Sequence, residues 1–240
     1  MKDLHSHLLP GVDDGSKSLE STRLLLESAK KNGVTDIMFT PHYVPDSRFS
    51  SPASVNNNIF KDVERIAKEE YGINIYLGNE VYLIPDIVDY LKTGNINSLN
   101  GSRYLLCEIP MHQKFNNLKS VFIEIMNLGY IPILAHPERY SAYFADIDFF
   151  MSLRRLGVLM QVNITSLVGD YGSKSKYMAK ELLKRNLISF VGSDIHDVKE
   201  MKYDKLKMSL FKLRWIVGKE KLEELTNTNF TCVVNNEDIG

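Results

Sequence analysis

The chain carries only two cysteines, Cys107 and Cys232, far apart and outside any paired spacing. That scarcity excludes a disulfide framework and a thiolate zinc site, and it suits a reducing compartment. Long apolar runs are missing too. None approaches the roughly 18 residues that a membrane-crossing helix needs. The opening MKDLHSH holds no apolar stretch of the kind used for export, so the expectation is a cytoplasmic protein without membrane insertion. Neither sign of charge is in excess: 29 Lys and Arg against 30 Asp and Glu leave −1. A nucleic-acid binder would show a basic domain or stripe, and nucleic acid is therefore not the expected partner. Glycine-rich phosphate loops, low-complexity linkers and repeats of fixed sequence are also absent.

What is present is ordinary globular material. The 240 residues are 44% hydrophobic, 25% charged and 10% aromatic, enough apolar side chain for a real core. An α/β barrel often reaches this length as one domain, and a single domain over 1–240 is expected, with the tail 227–240 at its periphery. Helical periodicity appears over 17–32, with Leu19, Leu25, Leu26 and Ala29 to one side and Gly33 as the stop. It recurs over 117–128, where Leu118, Val121, Phe122, Ile125 and Met126 share a face. Further helices are predicted over 54–70, 146–156, 174–185 and 204–217. Short apolar runs alternate with these segments, the pattern of α/β units around a mainly parallel sheet.

The informative feature is how the apolar runs end. DLHSH ends in His5 and His7, DIMFTPH in His42, INIYLGNE in Glu80 and RYLLCE in Glu108. IPILAHPER ends in His136, Glu138 and Arg139, VLMQVN in Gln161 and Asn163, and LISFVGSDIH in Asp194 and His196. A lone histidine at a strand end is most often incidental. Here five of the six histidines sit at such ends, and only His112 falls in a loop without an assigned role. In a β/α barrel the C-terminal strand ends converge on one face, which is where functional groups collect.

His-x-His on a strand places both imidazoles on one side, because strand side chains repeat every two residues. With His42, His136 and His196 and the carboxylates Asp14, Glu80, Glu108 and Asp194, the set holds five imidazoles and four carboxylates. That is too many for one tetrahedral ion and suits two or three divalent ions sharing carboxylates. Lack of thiolate favours manganese, iron, zinc or magnesium. Such ions lower the pKa of bound water from about 15.7 toward about 7 and can hold the oxygens of a transferring phosphoryl group. Arg139 has the planar fork that grips two phosphate oxygens, although an ion pair with Glu138 or a neighbour would equally explain it. Arg48, in the loop after His42, is a second candidate of the same kind.

In their order along the chain, His5-Ser6-His7, Asp14-Gly15, Thr40-Pro41-His42, Gly78-Asn79-Glu80, Glu108, Ala135-His136-Pro137-Glu138-Arg139 and Gly192-Ser193-Asp194-Ile195-His196 resemble the motifs of the PHP (polymerase and histidinol phosphatase) superfamily. HSHLLPGVDDG with TPH and GNE is most similar to the metal-dependent protein-tyrosine phosphatases of bacterial capsule and exopolysaccharide clusters. The likeness runs from residue 3 to about 198. It implies an α/β fold of PHP type, a distorted seven-stranded β/α barrel with its metal site at the C-terminal strand ends. It further implies a centre of two to three metal ions, manganese foremost, held by His5, His7, Asp14, His42, Glu80, Glu108, His136, Asp194 and His196. The implied substrate is phosphotyrosine in the tail of a partner tyrosine autokinase that controls polysaccharide export. Arg139 falls where the family binds phosphate. In a phosphoryl transfer at such a centre, Asp14 or a histidine would pass the proton to the leaving group. The family places an arginine shortly after its last Asp-x-His. Here DIHDVKEMKYDK offers Lys199 and Lys202 instead, which become the phosphate-binding candidates.

Three further features bear on the choice. Neither cysteine has an arginine six residues on, since 113 is Gln and 238 is Asp, so a thiol nucleophile is not expected. Tyr130, Tyr140, Tyr143 and Phe144 lie near HPER and could line a pocket for a phenolic ring, or simply pack. The stretch 202–215 reads as an amphipathic helix laid on the barrel with its lysines in water, or as a docking surface for an acidic partner or lipid headgroups. Two other functions stay open: a phosphatase of a small ester such as histidinol phosphate, and a metal-stabilised protein that binds a kinase tail without hydrolysing it.

Overall fold

The structure, a computed structural model, describes residues 1–239. Strand β1 (Lys2–Ser6) leads through α1 (Leu19–Lys31) to β2 (Asp36–Phe39) and β3 (His42–Tyr43). Helix α2 (Ala53–Ile66) precedes β4 (Asn74–Leu77) and β5 (Glu80–Tyr82), and α3 (Ile87–Lys92) precedes β6 (Tyr104–Glu108). Three further units follow: α4 (Leu118–Asn127) with β7 (Ile131–Ala135), α5 (Ile147–Leu156) with β8 (Leu159–Asn163), and α6 (Gly172–Lys184) with β9 (Phe190–Gly192). Helices α7 (Leu206–Glu223) and α8 (Asn229–Asn235) close the chain.

Local chemistry explains these elements. Ser18 caps α1 by accepting the Ser21 N–H, and Lys30 and Lys31 in its last turn face the negative end of the helix dipole. Asp146 caps α5 in the same way through the Phe149 N–H. Helix α2 starts one residue before the expected 54 and runs on through a wider π turn, Ala67–Tyr71, that stops at the left-handed Gly72. Helix α7 extends beyond the expected 217 across a break at Gly218. Helices α3 and α8 are six and seven residues long, too short to show a period in sequence.

Every strand pairing is parallel. One sheet has the order β1-β2-β4 and the other β3-β5-β6-β7-β8-β9. The expected seven runs are all there, but two are broken, one at Thr40-Pro41 and the other at Gly78-Asn79, which gives nine strands among the described residues. Pro41 has no N–H to give a ladder. The breaks are stitched by side chains, with Asn79 Nδ2 donating to the Pro41 carbonyl at 2.9 Å and Asn79 Oδ1 accepting the Asn97 N–H at 2.8 Å. The ladders of the described residues therefore form two parallel sheets of an α/β fold, without one continuous closed ladder. These meet where β9 runs into β1: a bridge joins Ser6 to Ile195, the His7 N–H donates to Ile195 O at 2.9 Å, and the Asp194 N–H donates to His5 O at 2.8 Å.

Alternation along the strands separates two apolar cores. On β6, Leu105 and Cys107 join the large cluster that also holds the helices, including Leu25 and Leu26 of α1, Phe122 of α4 and Leu182 of α6. Tyr104 and Leu106 join a second cluster with Leu4, Met38, Ile133, Ala135, Leu159 and Phe190. Phe230 and Val233 of α8 belong to this second cluster and are buried. The expected peripheral tail 227–240 thus includes a helix packed on strand side chains; its last residue, Gly240, lies outside the described residues. Among the described residues, no helix is long and apolar enough to cross a membrane.

Candidate metal centre

The polar residues that end the strands converge. Glu80, at the start of β5, is fully buried at the middle of the group. Its Oε2 lies 3.2 Å from His5 Nε2, 3.3 Å from His7 Nε2 and 3.1 Å from His42 Nδ1, and its Oε1 lies 2.8 Å from His136 Nε2. Asp194 Oδ1 is 3.6 Å from both His5 Nε2 and His7 Nε2 and 3.5 Å from His196 Nδ1. Glu108 Oε1 reaches to 3.7 Å from His136 Nε2. Asp14 Oδ1 stands 3.5 Å from His42 Nε2 and 3.7 Å from His196 Nε2, with half its side chain in solvent. All nine predicted ligands thus fall into one contiguous cluster. Within it, three groups could each surround an ion: His7, Asp14, His42 and His196; His5, His7 and Glu80; His42, Glu80 and Glu108.

Hydrogen bonds from behind orient three of the rings. Asp194 Oδ2 can only accept, so it takes the Asn163 Nδ2–H at 2.6 Å; Asn163 Oδ1 then accepts from Gln161 Nε2 at 3.0 Å. Gln161 Oε1 is left to accept from His5 Nδ1 at 2.8 Å, which leaves the His5 Nε2 lone pair facing inward. His7 Nδ1 donates to Asp13 Oδ2 at 2.7 Å, and His196 Nδ1 donates to the Asp194 carbonyl at 3.0 Å. When both rings are neutral, as metal ligands must be, His5 Nε2 and His7 Nε2 meet lone pair to lone pair at 3.1 Å. The buried Glu80 Oε2 has no hydrogen-bond donor. Divalent cations satisfy both at once, so these residues fit metal ions by their donor chemistry as well as by count.

The backbone is shaped to this end. His136 and Asp194 adopt positive φ, 33° and 52°, a conformation that non-glycine residues hold only where surrounding structure imposes it. Gly192 is needed for close approach: a Cβ there would lie 2.7 Å from the His5 Cβ and 2.9 Å from Gln161 Nε2. Gly15 is needed likewise, since its Cβ would sit 2.2 Å from the His7 carbonyl oxygen.

Electrostatics sort the carboxylates. Burial opposes the charge on Glu80, yet the His5 and His42 rings outweigh it and hold its pKa well below the usual range. Burial together with the neighbouring Glu80 charge pushes Glu108 up to about 8. Asp13 is also buried, but the adjacent His7 ring and the His42 N–H keep it well below an ordinary carboxylate. Burial pushes the Cys107 thiol up, in keeping with an inert core cysteine.

Beside the cluster opens a cavity of about 500 Å³, lined by Asp14, His42, Glu80, Glu108, Arg139 and Asp194 and by Val44, Arg48, Phe49 and Tyr82. Arg139 donates to Asp194 Oδ2 at 2.6 Å, not to Glu138, and its guanidinium lies 4.5 Å from the centre of the Tyr171 ring. Glu138 points away and accepts from the Asn163 N–H and the Ser166 hydroxyl. Arg48 lines the cavity from the far side, stacked 4.6 Å over Phe49. The two lysine candidates do not line it. Lys202 is buried, hydrogen-bonded to the Asp194 carbonyl and 3.3 Å from Glu200 Oε2, and Lys199 is exposed.

The aromatic cluster near HPER packs instead of lining the cavity. Tyr140 and Tyr143 are buried, Tyr143 stacking on Phe149 at 4.0 Å, and Phe144 faces outward against Lys174. The rings that do face the cavity, Phe49 and Tyr82, were missed from sequence, as were Asp13 and Tyr171. The only signal for Asp13 was its place in the VDDG pair. Phe49 adjoins Arg48, but no periodicity marks it out. His112 stays at the surface, bonded to Ser141.

Comparison with known proteins bears on this geometry. The family described as capsular polysaccharide synthesis, CpsB/CapC, matches residues 1–235. The chain is 36% identical over 201 residues to a putative tyrosine-protein phosphatase CapC of Staphylococcus aureus, spanning 82% of this chain and 78% of that one. It is 28% identical over 239 residues to the tyrosine-protein phosphatase YwqE of Bacillus subtilis, spanning 100% and 93%. A solved structure from work on YwqE of Bacillus subtilis and CpsB of Streptococcus pneumoniae, described as unique metal-dependent tyrosine phosphatases, superposes with a TM-score of 0.91. It covers 100% of this chain and 96% of its own at 28% identity.

Proposed function

Because the chain belongs to the CpsB/CapC family of capsular polysaccharide synthesis, we propose that it is a metal-dependent phosphomonoesterase that hydrolyses protein phosphotyrosine. Its substrate is the tail of a tyrosine autokinase that regulates capsule or exopolysaccharide export, in the cytoplasm. One observation supports this above the others: five imidazoles and four carboxylates converge beside an arginine in an open cavity that also presents aromatic rings.

In this reading His5, His7, Asp14, His42, Glu80, Glu108, His136, Asp194 and His196 hold two or three divalent ions, with manganese foremost. When bound, such ions supply Lewis acidity and a nucleophile at neutral pH. Arg139 turns its fork to the phosphate oxygens, and Asp194 and Tyr171 keep the guanidinium in place between turnovers. Phe49 and Tyr82 flank the phenolic ring of the substrate, and Arg48 meets charge beyond it. Asp14, half exposed at the rim, is the residue placed to pass a proton to the leaving oxygen. A phenol leaves with a pKa near 10, so this assistance is a modest part of the rate. Lys202 acts from below by holding the Asp194 backbone and does not touch the substrate. The two sheets are read as a distorted PHP-type barrel, and residues 1–240 as one domain.

The test is purified protein loaded with Mn²⁺ and assayed on a phosphotyrosyl peptide, a phosphoseryl peptide and histidinol phosphate. Turnover of the phosphotyrosyl peptide is expected, with KM raised about tenfold in Phe49→Ala by lost ring contact. Preference for histidinol phosphate would shift the assignment to a small ester. No turnover of any substrate by metal-loaded protein would leave a binding protein and overturn the enzymatic reading.

A further inference from the structure

Helix α7 carries apolar residues on two opposite sides. Leu206 and Leu213 are buried against the body of the protein. On the other side Met208, Phe211 and Trp215, at helical spacings of three and four, face solvent with exposures of 56%, 58% and 77%. The expected amphipathic helix, laid on the body of the protein with its lysines in water, is thus present, but Phe211 and Trp215 stand in water as well. A solvated stripe of this kind needs another partner.

The residues flanking the stripe indicate its chemistry. At 100° per residue, Lys207 and Arg214 fall along one border of the Met208–Phe211–Trp215 line and Lys212 along the other. Lys219 follows just past the break at Gly218, and Phe211, Arg214, Trp215, Gly218 and Lys219 together line a shallow cleft. No acidic residue occurs between Lys205 and Lys219, in a chain whose net charge is −1. Lys207, Lys212, Arg214 and Lys219 form no ion pair among the described residues. By contrast, Lys205 pairs with Asp170 and Lys221 with Glu224.

We propose that this face of α7 docks on an anionic lipid surface, with Trp215, Phe211 and Met208 entering the headgroup region and the four cations meeting lipid phosphates. Aromatic and thioether side chains bordered by long basic ones are the composition of helices that lie in the plane of a membrane interface. A second copy of the chain fits poorly: a two-fold contact would set this single-sign patch against itself. The proposal stands independently of what the metal centre hydrolyses.

Trp215 is the sole tryptophan of the chain, so its emission reports this face directly. The full-length protein is titrated with vesicles of phosphatidylcholine alone or with about one-third phosphatidylglycerol, at low and high salt. A blue shift is expected with the anionic vesicles only, with partitioning at least about tenfold stronger than to neutral ones and reversed by salt. Co-sedimentation of Phe211→Ser, Trp215→Ser and the triple Lys207→Glu, Lys212→Glu, Arg214→Glu variant is expected to fall at least about fivefold. These side chains are exposed, so unchanged thermal melting identifies folded variants. Emission unmoved by anionic vesicles at low salt would overturn the proposal, as would equal binding to neutral vesicles. A shift that grows with protein concentration in the absence of lipid would assign the face to a second copy. A shift with poly-glutamate but not with vesicles would assign it to an acidic protein.

Discussion

Asp13 Oδ2 lies 2.7 Å from His7 Nδ1 and accepts the His42 N–H at 2.9 Å, so one buried carboxylate orients two residues of the cluster from behind. Its second oxygen accepts the Gly15 N–H at 2.9 Å, which ties down the VDDG turn as well. Partners of this kind set ring orientation and basicity without touching an ion. Asp13→Ala is expected to weaken metal affinity by about 10- to 100-fold. Titration of chelated, refilled protein measures it, and wild-type affinity in the variant would deny Asp13 this role.

Removal of metal should show in stability as much as in activity. Glu80 and Glu108 lie close enough to oppose each other's charge, and cations between the carboxylates of the cluster would relieve that repulsion. An ion at a thousandfold excess over its Kd contributes about 4 kcal/mol. In a chain of this size, that moves Tm by about 10 °C. Scanning calorimetry with and without chelator reads the shift, and coincident melts would show that the cluster holds no ion in solution.

Arg139 is held by Asp194 and Tyr171 in a posture that leaves part of its guanidinium facing the cavity. Arg139→Ala is expected to keep bound metal and raise KM by about tenfold or more, with Arg139→Lys in between, because lysine lacks the two-pronged geometry. Metal analysis beside steady-state kinetics separates the outcomes. An unchanged KM would move phosphate binding to Arg48.

Glu138 offers a dependence on pH. It is buried, and burial pushes its pKa up to about 7 even though the Ser166 hydroxyl and Asn163 N–H favour its charge. The folded value lies above that of the unfolded chain, near 4.3. As pH rises between the two, the unfolded chain releases its proton first and stability falls; above about 7 the whole penalty is present. Relative to Glu138→Gln, the metal-free wild type is therefore expected to lose about 2.5 kcal/mol between pH 5 and pH 8. Urea unfolding at both pH values checks this, and parallel behaviour of the two proteins would show that Glu138 ionises freely.

Much of the centre could be read before the fold was known, for a definite reason. His5, His7, His42, Glu80, Glu108, His136, Asp194 and His196 follow apolar runs, and parallel strands bring their ends to one side. Side chains supplied by irregular backbone were hidden. Phe49 and Tyr171 lie in loops, where no period marks which way a ring points. Lys202 looked like a phosphate ligand because it follows DIH at a suitable distance, but the short helical turns after His196 carry it beneath Asp194. The breaks at Pro41 and Gly78 turn seven runs into nine strands, and hydropathy alone did not show them.

The union of β1 with β9 sets an order on biosynthesis. His5 and Asp194 are neighbours only because the first strand lies beside the last, where Ser193 N–H and Tyr203 hydroxyl both donate to Asp3 at 2.8 Å. A chain still emerging from the ribosome holds HSH without its counterpart until Asp194, 189 residues after His5, arrives. Contacts of such sequence separation are slow to form. Completion of the metal pocket is thus one of the last events of folding, and a truncated product ending before β9 has no means of assembling it.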